Sequence, residues 1–421
     1  MKLQKILNRL QKLHPKEIDL SLDRIKNLCK KLGNPQNKIK VISVVGTNGK
    51  QSTINAIFSI LKEAKIKCNV YTSPHIQRIN ERFVFNNLEL DDNELSDLFE
   101  EVEKVNNNQL ITFFEILTAC YLHKAARYPN NINLIEAGLF HRFDATNIFE
   151  NNLASIVTSI SKDHLDWLPK NKRTIEKIIF EKTSSLLNSN IIISKQNTKN
   201  TIECIKKTIS KNSSNKLFFN EDFSYSNEEN GFFYYEDKFG GLKLPLPNIL
   251  GQFQLDNISA AIATLRQLKL IINDQDIKKG ITKIKSTGRL QEINSGKLKN
   301  LVRNNKLILD GTHNEDGSRV LNEYLQTLDC KKHLIIGMMA NKDHQKYISY
   351  FKDFSSLTTI DIPNQPNAIS GKNLRKKFKN ISNVKYKKSI KEAIKSVPLK
   401  ENDLLIITGS LYLAGEVLNL N

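Results

Sequence analysis

The sequence predicts an α/β protein in two domains. The first, residues 1–290, is a P-loop-type, mostly parallel sheet domain with a small antiparallel β insertion, and the second, residues 291–421, is a Rossmann-like α/β domain. Three observations carry that expectation. Short β-branched runs alternate with segments long enough for a helix, a rhythm that places parallel strands beneath covering helices. One run, KVISVV at 40–45, opens directly onto a glycine-containing turn and a stretch of helical period. Residues 217–247 break the rhythm with alternating aromatics before the α/β pattern returns near residue 290.

In chain order, the start MKLQKILNRLQKL is amphipathic and charged and has no apolar signal core. After KVISVV, the segment Ser52 to Lys62 places Ile54, Ile57, Phe58 and Leu61 at helical spacing. NINLIEAG, ASIVTSIS and NIIIS read as the next strands, each followed by a helix-length segment. Within 217–247, a Glu-Asn-Gly turn and a Gly-Gly turn separate the aromatic runs, which predicts antiparallel hairpins. A helix is expected from Gln254 to Leu268. Beyond STGRLQEI the runs KLILD, HLIIGMM, SLTTIDI, NVKYK and DLLIITG recur with helical stretches between them, enough for a second domain of about 130 residues.

Bulk properties narrow the function classes. The chain has 421 residues, of which 39% are hydrophobic, and no apolar stretch approaches the roughly 20 residues that span a bilayer. A cytoplasmic protein without a membrane partner is expected. Five scattered cysteines, none in a C-x-x-C pair, suggest neither a disulfide frame nor a zinc site. The formal charge of +19 is spread along the whole chain, with no aromatic-interleaved basic stripe, so no nucleic-acid partner is expected and the basic surface suits an anionic small substrate.

The turn GTNGKQST at 46–53 sits between a strand and a helix start. Unpaired N–H groups in a helix's first turn form an anion site, and glycines let the chain curl around a phosphate. Lys50 adds a charge for the outer phosphates. The strict G-x-x-x-x-G-K-[ST] pattern is not met, because Val44 stands at its first glycine and Gln51 separates Lys50 from Ser52. Other polar residues fall at strand ends, where α/β proteins collect function. Glu136 closes NINLIEAG, Lys162, Asp163, His164 and Asp166 follow ASIVTSIS, Asp310 and His313 follow KLILD, and Thr408, Gly409 and Ser410 follow DLLII. Any one of these fits a helix cap or a surface residue equally well.

The order of motifs resembles the folylpolyglutamate and dihydrofolate synthases of the ATP-dependent Mur ligase superfamily. GTNGKQST at 46, YTSPHIQRINERF at 71, TFFEILTA at 112, EAGLFHRFDATN at 136, TSISKDHLDWL at 158, FEKTS at 180, GQFQLDN at 251, TGRLQEI at 287, LDGTHNEDG at 309, GMMANKDH at 337 and TGSLYLAGEV at 408 carry the resemblance over almost the whole chain.

The resemblance implies a Mur-ligase-like ATP-binding domain over 1–290, a glutamate ligase domain over 291–421, and a carboxylate-amine ligase that adds L-glutamate to dihydropteroate, to reduced folates, or to both, through an acyl phosphate. It implies ATP contacts from Gly46, Thr47, Asn48, Gly49, Lys50, Gln51 and Ser52, and from Asn257, Arg289 and Asp310. It places two magnesium ions with Ser73, Glu136, His164 and Lys182, the lysine carrying a carbamate. Spacing alone fits a solvated lysine on a helix, and His164 also fits a hydrogen-bonding role. Thr112, Phe114 and Glu115 match the pterin segment, although Phe114 also fits plain core, and His313 and Ser410 match positions near the incoming glutamate. Lys50, Lys182 and His313 are the expected catalytic residues. ATP, dihydropteroate or a reduced folate, and L-glutamate are the implied small-molecule partners, and a monomer is the implied state.

Gln51 replaces a glycine or hydroxyl residue of the family pattern, Leu139, Phe140 and His141 stand at a Leu-Gly-Gly run, and Thr183 and Ser184 replace Ala-Gly. Two rivals remain. A peptidoglycan-precursor Mur ligase would carry about a hundred residues ahead of the phosphate loop, where only some 40 stand here. A non-catalytic nucleotide binder would find its warrant in the three departures.

Overall fold

The computed structural model describes residues 2–16, 19–378 and 381–421. The chain divides into two compact units, one of Met1–His164, Leu168–Asn248 and Leu255–Ile284, the other of Leu165–Trp167, Ile249–Gln254 and Lys285–Asn421.

In the first unit, strands β1 (Lys40–Val45), β2 (Cys68–Tyr71), β3 (Phe83–Phe85), β4 (Leu88–Glu89), β5 (Ile132–Glu136), β6 (Ala154–Val157), β7 (Asn190–Ile193) and β8 (Asn215–Phe218) form one sheet in the order β4-β3-β2-β5-β1-β6-β7-β8. The pairs β2/β3 and β3/β4 are antiparallel and the others parallel. Helices on both faces bury the central strands, which is why β1 is a continuous apolar run in which Val41, Ile42, Val44 and Val45 are wholly buried. Large side chains such as Tyr71, Phe83, Phe99 and Tyr121 fill one face, each fully buried residue of this size contributing roughly 1.5–3 kcal/mol. A separate three-stranded antiparallel sheet follows, made of β9 (Phe223–Asn227), β10 (Phe232–Asp237) and β11 (Gly240–Pro245).

The second unit holds β12 (Gln291–Glu292), β13 (Lys306–Asp310), β14 (Lys332–Ile336), β15 (Phe354–Ile360), β16 (Lys385–Lys387) and β17 (Leu404–Thr408) in the order β12-β13-β17-β14-β15-β16. Only β12 runs antiparallel to its neighbour.

One sequence expectation needs correction. Leu217 and Phe218 do not belong to the hairpins but end β8, paired in parallel with Ile192 and Ile193. Both are buried; the antiparallel strands begin at Phe223, and the half-exposed alternation is that of Phe232–Asp237. Strand β2 carries no long β-branched run, yet it is fully buried because Asn69 satisfies its amide against Asn133 of β5 at 3.0 Å.

Candidate active site

The sheet order puts β1 between β5 and β6: the connection after β1 runs to β2 on the β5 side, whereas β5 connects across to β6 on the other side. The crevice beyond the strand ends at such a point is where open α/β sheets hold ligands. The turn from β1 into helix Lys50–Glu63 lies there. Thr47 and Asn48 donate their backbone N–H groups to the Ser159 carbonyl at 2.8 and 3.2 Å, and Thr47 Oγ1 both accepts from Ser161 N–H and donates to its carbonyl, each at 3.1 Å. The loop is therefore tied to the segment leaving β6. Helix Lys50–Glu63 has no acidic residue in its first turn, so the positive end of its dipole is left for an anion.

Both loop glycines are required by close approach. A Cβ on Gly46 would fall 1.9 Å from Thr158 Oγ1, and one on Gly49, whose φ is +90°, would fall 2.2 Å from Asn257 Oδ1. The second contact brings Asn257, on helix Gln254–Gln267, against the loop with which the sequence grouped it. Lys50 Nζ lies 3.3 Å from the Thr47 carbonyl and 3.7 Å from Glu136 Oε1. Glu136, buried at the end of β5, also accepts from Ser73 N–H at 3.1 Å. Gln51 and Ser52 fall within the first turn of the same helix.

Lys182 is not a solvated lysine. It is buried near the end of helix Ile175–Thr183, and its Nζ donates to the Gly46 carbonyl at 2.8 Å. Burial, reinforced by the charge of Lys50, brings its pKa down to about 7. Two of the departure residues lie beside it. Phe140, at φ +56°, holds its ring 5.7 Å from Lys182 Nζ, and buried His141 is bonded to Ser185 Oγ at 3.0 Å, its pKa lowered to about 4 by burial and by the lysine charge. A glycine is the easy occupant of the left-handed conformation at 140, and Phe140 occupies it at some backbone cost, offset by the burial of its ring.

His164 stands at φ +53°, its ring partly exposed and 3.8 Å from the Asp163 carboxylate. Among the described residues no three of His, Cys, Asp and Glu converge into a ready-made metal cluster. The expected set contains only Glu136 and His164 of those types, so it depends on Ser73 and on a carboxylate built from Lys182. Of the expected set, the Ser73 hydroxyl and the Glu136 carboxylate are oxygen donors of the kind that suits a hard cation such as magnesium, whereas Lys182 presents an amine bonded to the Gly46 carbonyl.

A small pocket in the same unit is lined by Asp19, Thr112, Phe114, Glu115 and Asp144, among others. Thr112 caps helix Phe113–Ala125 in a capping box with Glu115, whose carboxylate also takes the Arg24 guanidinium at 2.9 Å. Both residues therefore hold structure as well as lining the pocket. Phe114 stacks on Tyr71 and covers Gly138, where a Cβ would come within 2.7 Å of its Cζ. Asp144 was missed by the sequence reading. Its buried carboxylate accepts from Leu139 N–H at 2.7 Å and from Thr146 Oγ1 at 2.5 Å, and burial raises its pKa against those bonds. The only available signal was its place in the DATN run.

Arg289, Asp310, His313 and Ser410 belong to the second unit. Asp310 pairs with Thr408 across β13 and β17, so His313 and Ser410 follow adjacent strand ends. Asp310 accepts from Leu290 and Thr312 N–H at 2.8 and 2.9 Å, its pKa raised by burial and partly restrained by the charge of Arg289. His313 Nδ1 lies 2.9 Å from the Gly311 carbonyl, and Ser410 caps helix Leu411–Leu420. No helix among the described residues is long and apolar enough to cross a membrane.

Comparison with known proteins shows the family. Residues 44–265 match the Mur ligase middle domain, and residues 291–420 match the dihydrofolate synthetase C-terminal domain. The dihydrofolate synthase/folylpolyglutamate synthase of Escherichia coli K12 is 30% identical over 82% of this chain and 78% of its own. That of Haemophilus influenzae is 29% identical over 97% of this chain and 95% of its own. The solved structure of E. coli FolC in complex with DHPP and ADP superposes with a TM-score of 0.87 at 27% identity, over 99% of this chain and 97% of that one.

Proposed function

The chain belongs to the Mur ligase family, in the branch of the dihydrofolate synthases and folylpolyglutamate synthases, and from that premise we propose how its residues carry out an ATP-dependent ligation of L-glutamate to dihydropteroate, to a reduced folate, or to both. The observation that carries the reading is the convergence of the glycine loop, Lys50, Glu136, Ser73 and Lys182 beyond the ends of β1 and β5. The E. coli relative was solved in complex with ADP, which supports a nucleotide ligand for this chain.

In this reading the backbone N–H groups of residues 46–52 hold the ATP phosphates and Lys50 offsets their outer charge. Asn257, Arg289 and Asp310 contact the nucleotide. Thr112, Phe114, Glu115 and Asp144 receive the pterin, leaving the substrate carboxylate to meet the γ-phosphate. A carboxylate oxygen attacks the γ-phosphorus and ADP leaves. The glutamate amine, positioned by His313 and Ser410, then attacks the acyl carbon and phosphate leaves as the amide forms. Ser73, Glu136, His164 and a carbamylated Lys182 would hold magnesium, which supplies charge neutralisation during phosphoryl transfer. Lys182 suits that modification because carbamate forms on a neutral amine, and its pKa near 7 leaves much of it neutral. A monomer is part of the same proposal.

The test is to assay purified protein with dihydropteroate and with tetrahydrofolate, each with ATP and labelled L-glutamate. Label incorporated with one or both acceptors is expected and would say whether the enzyme is mono- or bifunctional. Incorporation with neither rejects the substrate class.

A further inference from the structure

Residues 371–378 and 381–395 carry nine lysines and arginines against one carboxylate, Glu392, whereas the whole chain holds 63 against 44. The fold gathers them. Strand β16 is the free edge of the second unit's sheet, helix Gly371–Lys377 leads into it and helix Ile390–Ser396 leads away. Right-handed crossovers put these helices on opposite faces of the sheet, because one connection steps outward from β15 and the other returns to β17. Exposed cations therefore wrap the edge, with Arg375 and Lys376 on one side, Lys385 and Lys388 along it, and Lys391 and Lys395 on the other. Surface lysines elsewhere are matched, Lys2 with Asp97 at 2.9 Å, Lys206 with Glu221 at 2.6 Å and Lys283 with Glu63 at 2.8 Å. Among the described residues no carboxylate pairs with any of the six on this ridge. The neighbouring Asp361 is already engaged by Gly371 N–H at 2.6 Å and by the Tyr386 hydroxyl at 2.8 Å.

Lysines on a free sheet edge also deter edge-to-edge pairing, but that role needs only those on β16 and not those on the two helices. We propose that this ridge is a docking surface for the phosphate backbone of double-stranded DNA. What it lacks decides the partner. None of the large hydrophobic side chains left exposed among the described residues falls within 371–395. A protein partner would need an apolar anchor, and stable membrane attachment takes a second signal beside basic charge. A single strand would need exposed aromatics to stack on, whereas Tyr386 is tied to Asp361 and Phe378 is buried. Unpaired point charges suit a regular row of phosphates, which they bind by counterion release without regard to sequence. B-form DNA leaves a major groove of about 12 Å between its phosphate rows, room for a sheet edge with cations on both flanks, and the deep, narrow groove of A-form RNA excludes it. Charge spread along the sequence predicts no nucleic-acid partner; folding concentrates that charge on one ridge.

The experiment uses the full chain and reads the fluorescence anisotropy of a short labelled DNA duplex, in two unrelated sequences, across a range of salt. Both sequences should bind alike, and log affinity should fall against log salt with a slope of about −5, the value for roughly six neutralised phosphates. The triple variant Lys376→Glu, Lys388→Glu, Lys391→Glu should bind at least about tenfold more weakly at low salt. A control that reverses three exposed lysines elsewhere, Lys26→Glu, Lys30→Glu and Lys211→Glu, changes the net charge equally and should stay within about threefold of wild type. An unchanged KM for ATP in the ridge variant shows that its fold is retained. No binding of the duplex by the wild-type protein at low salt, an equal loss in the two variants, or equal or tighter binding to an RNA duplex of the same sequence or to phosphatidylserine vesicles overturns the assignment.

Discussion

Lys182 reaches from the end of helix Ile175–Thr183 to the carbonyl oxygen of Gly46, 2.8 Å away, so a buried amine rests on the backbone of the phosphate loop. A permanently charged lysine at this depth would be costly, and no carboxylate lies within ion-pair distance to compensate it among the described residues. A lysine retained under those conditions points to chemistry performed on the amine. Lys182→Ala should be nearly inactive while folding normally. Short carboxylates added to the variant should restore part of the rate, because their oxygens replace those of the carbamate. No rescue by any carboxylate, with labelled bicarbonate giving no carbamate signal in the wild-type carbon NMR spectrum, would remove the modification from the mechanism.

The same lysine predicts a stability gain with a defined pH dependence. Its folded pKa, about 7, lies below the 10.5 of an ordinary lysine. Between those values the unfolded chain binds more protons than the folded one, so wild-type stability contributed by this group rises with pH across that window. Below pH 7 both states are charged and the burial penalty is present in full. Lys182→Met should therefore raise the melting temperature of the metal-free protein by several degrees at pH 6 to 7, and the gain should shrink as pH approaches 10. Thermal melts of the two proteins across that range check it. A gain that does not vary with pH would show that packing, not charge, sets the difference.

How much of this was legible in the sequence depended on locality. β1 and the loop after it could be read because a buried parallel strand is a continuous apolar run and a glycine turn is a local signal. β2 could not, since its burial depends on Asn69 meeting Asn133, a partner 64 residues away. The same limit hid the burial of Lys182, which the spacing of FEKTS suits to a solvated helix face and which only the family resemblance singled out, and it hid Asp144, whose neighbours across the pocket come from distant segments. Asn257 was grouped with the loop only through the motif order, and its approach to Gly49 gives that grouping a physical reason.

Lys50 stands at the first turn of its helix, 3.7 Å from Glu136. Its charge is expected to matter most as the γ-phosphoryl group leaves ADP. Lys50→Ala should cost at least ~2–4 kcal/mol of transition-state stabilisation, or roughly 30- to 1000-fold in rate, with the fold retained. A wild-type rate in a folded variant, judged by circular dichroism, would reject the role.

Gly49 and Gln51 should respond in opposite ways. Gly49→Ala places a Cβ 2.2 Å from Asn257 Oδ1 at a φ of +90°, so either Asn257 or the loop must move. ATP affinity should fall at least tenfold, given that positive φ strains any residue with a Cβ and the contact leaves no space. Gln51→Gly should change the KM for ATP by only a few-fold if the loop uses its backbone N–H alone. Calorimetric titration with a non-hydrolysable ATP analogue separates the two, and equal losses would mean that the Gln51 side chain takes part in holding phosphate.

The acyl-phosphate route makes the most direct prediction, because it fixes the fate of one oxygen atom. If the acceptor carboxylate attacks the γ-phosphorus, the oxygen that forms the new bond stays with phosphorus when the glutamate amine displaces phosphate from the acyl carbon. An acceptor labelled with heavy oxygen in its carboxylate must therefore deliver one labelled atom to each phosphate released. The site supports this order of events, since Lys50, the loop amides and the helix dipole all favour charge at the phosphoryl group. An acyl phosphate also hydrolyses readily, so an enzyme using one gains by making phosphate release depend on both acceptor and glutamate. Mass spectrometry of the released phosphate, with and without L-glutamate, reads both features. Phosphate formed at the full rate without acceptor, or unlabelled phosphate during amide formation, would be incompatible with the mechanism and would leave the chain a nucleotide hydrolase with a borrowed fold.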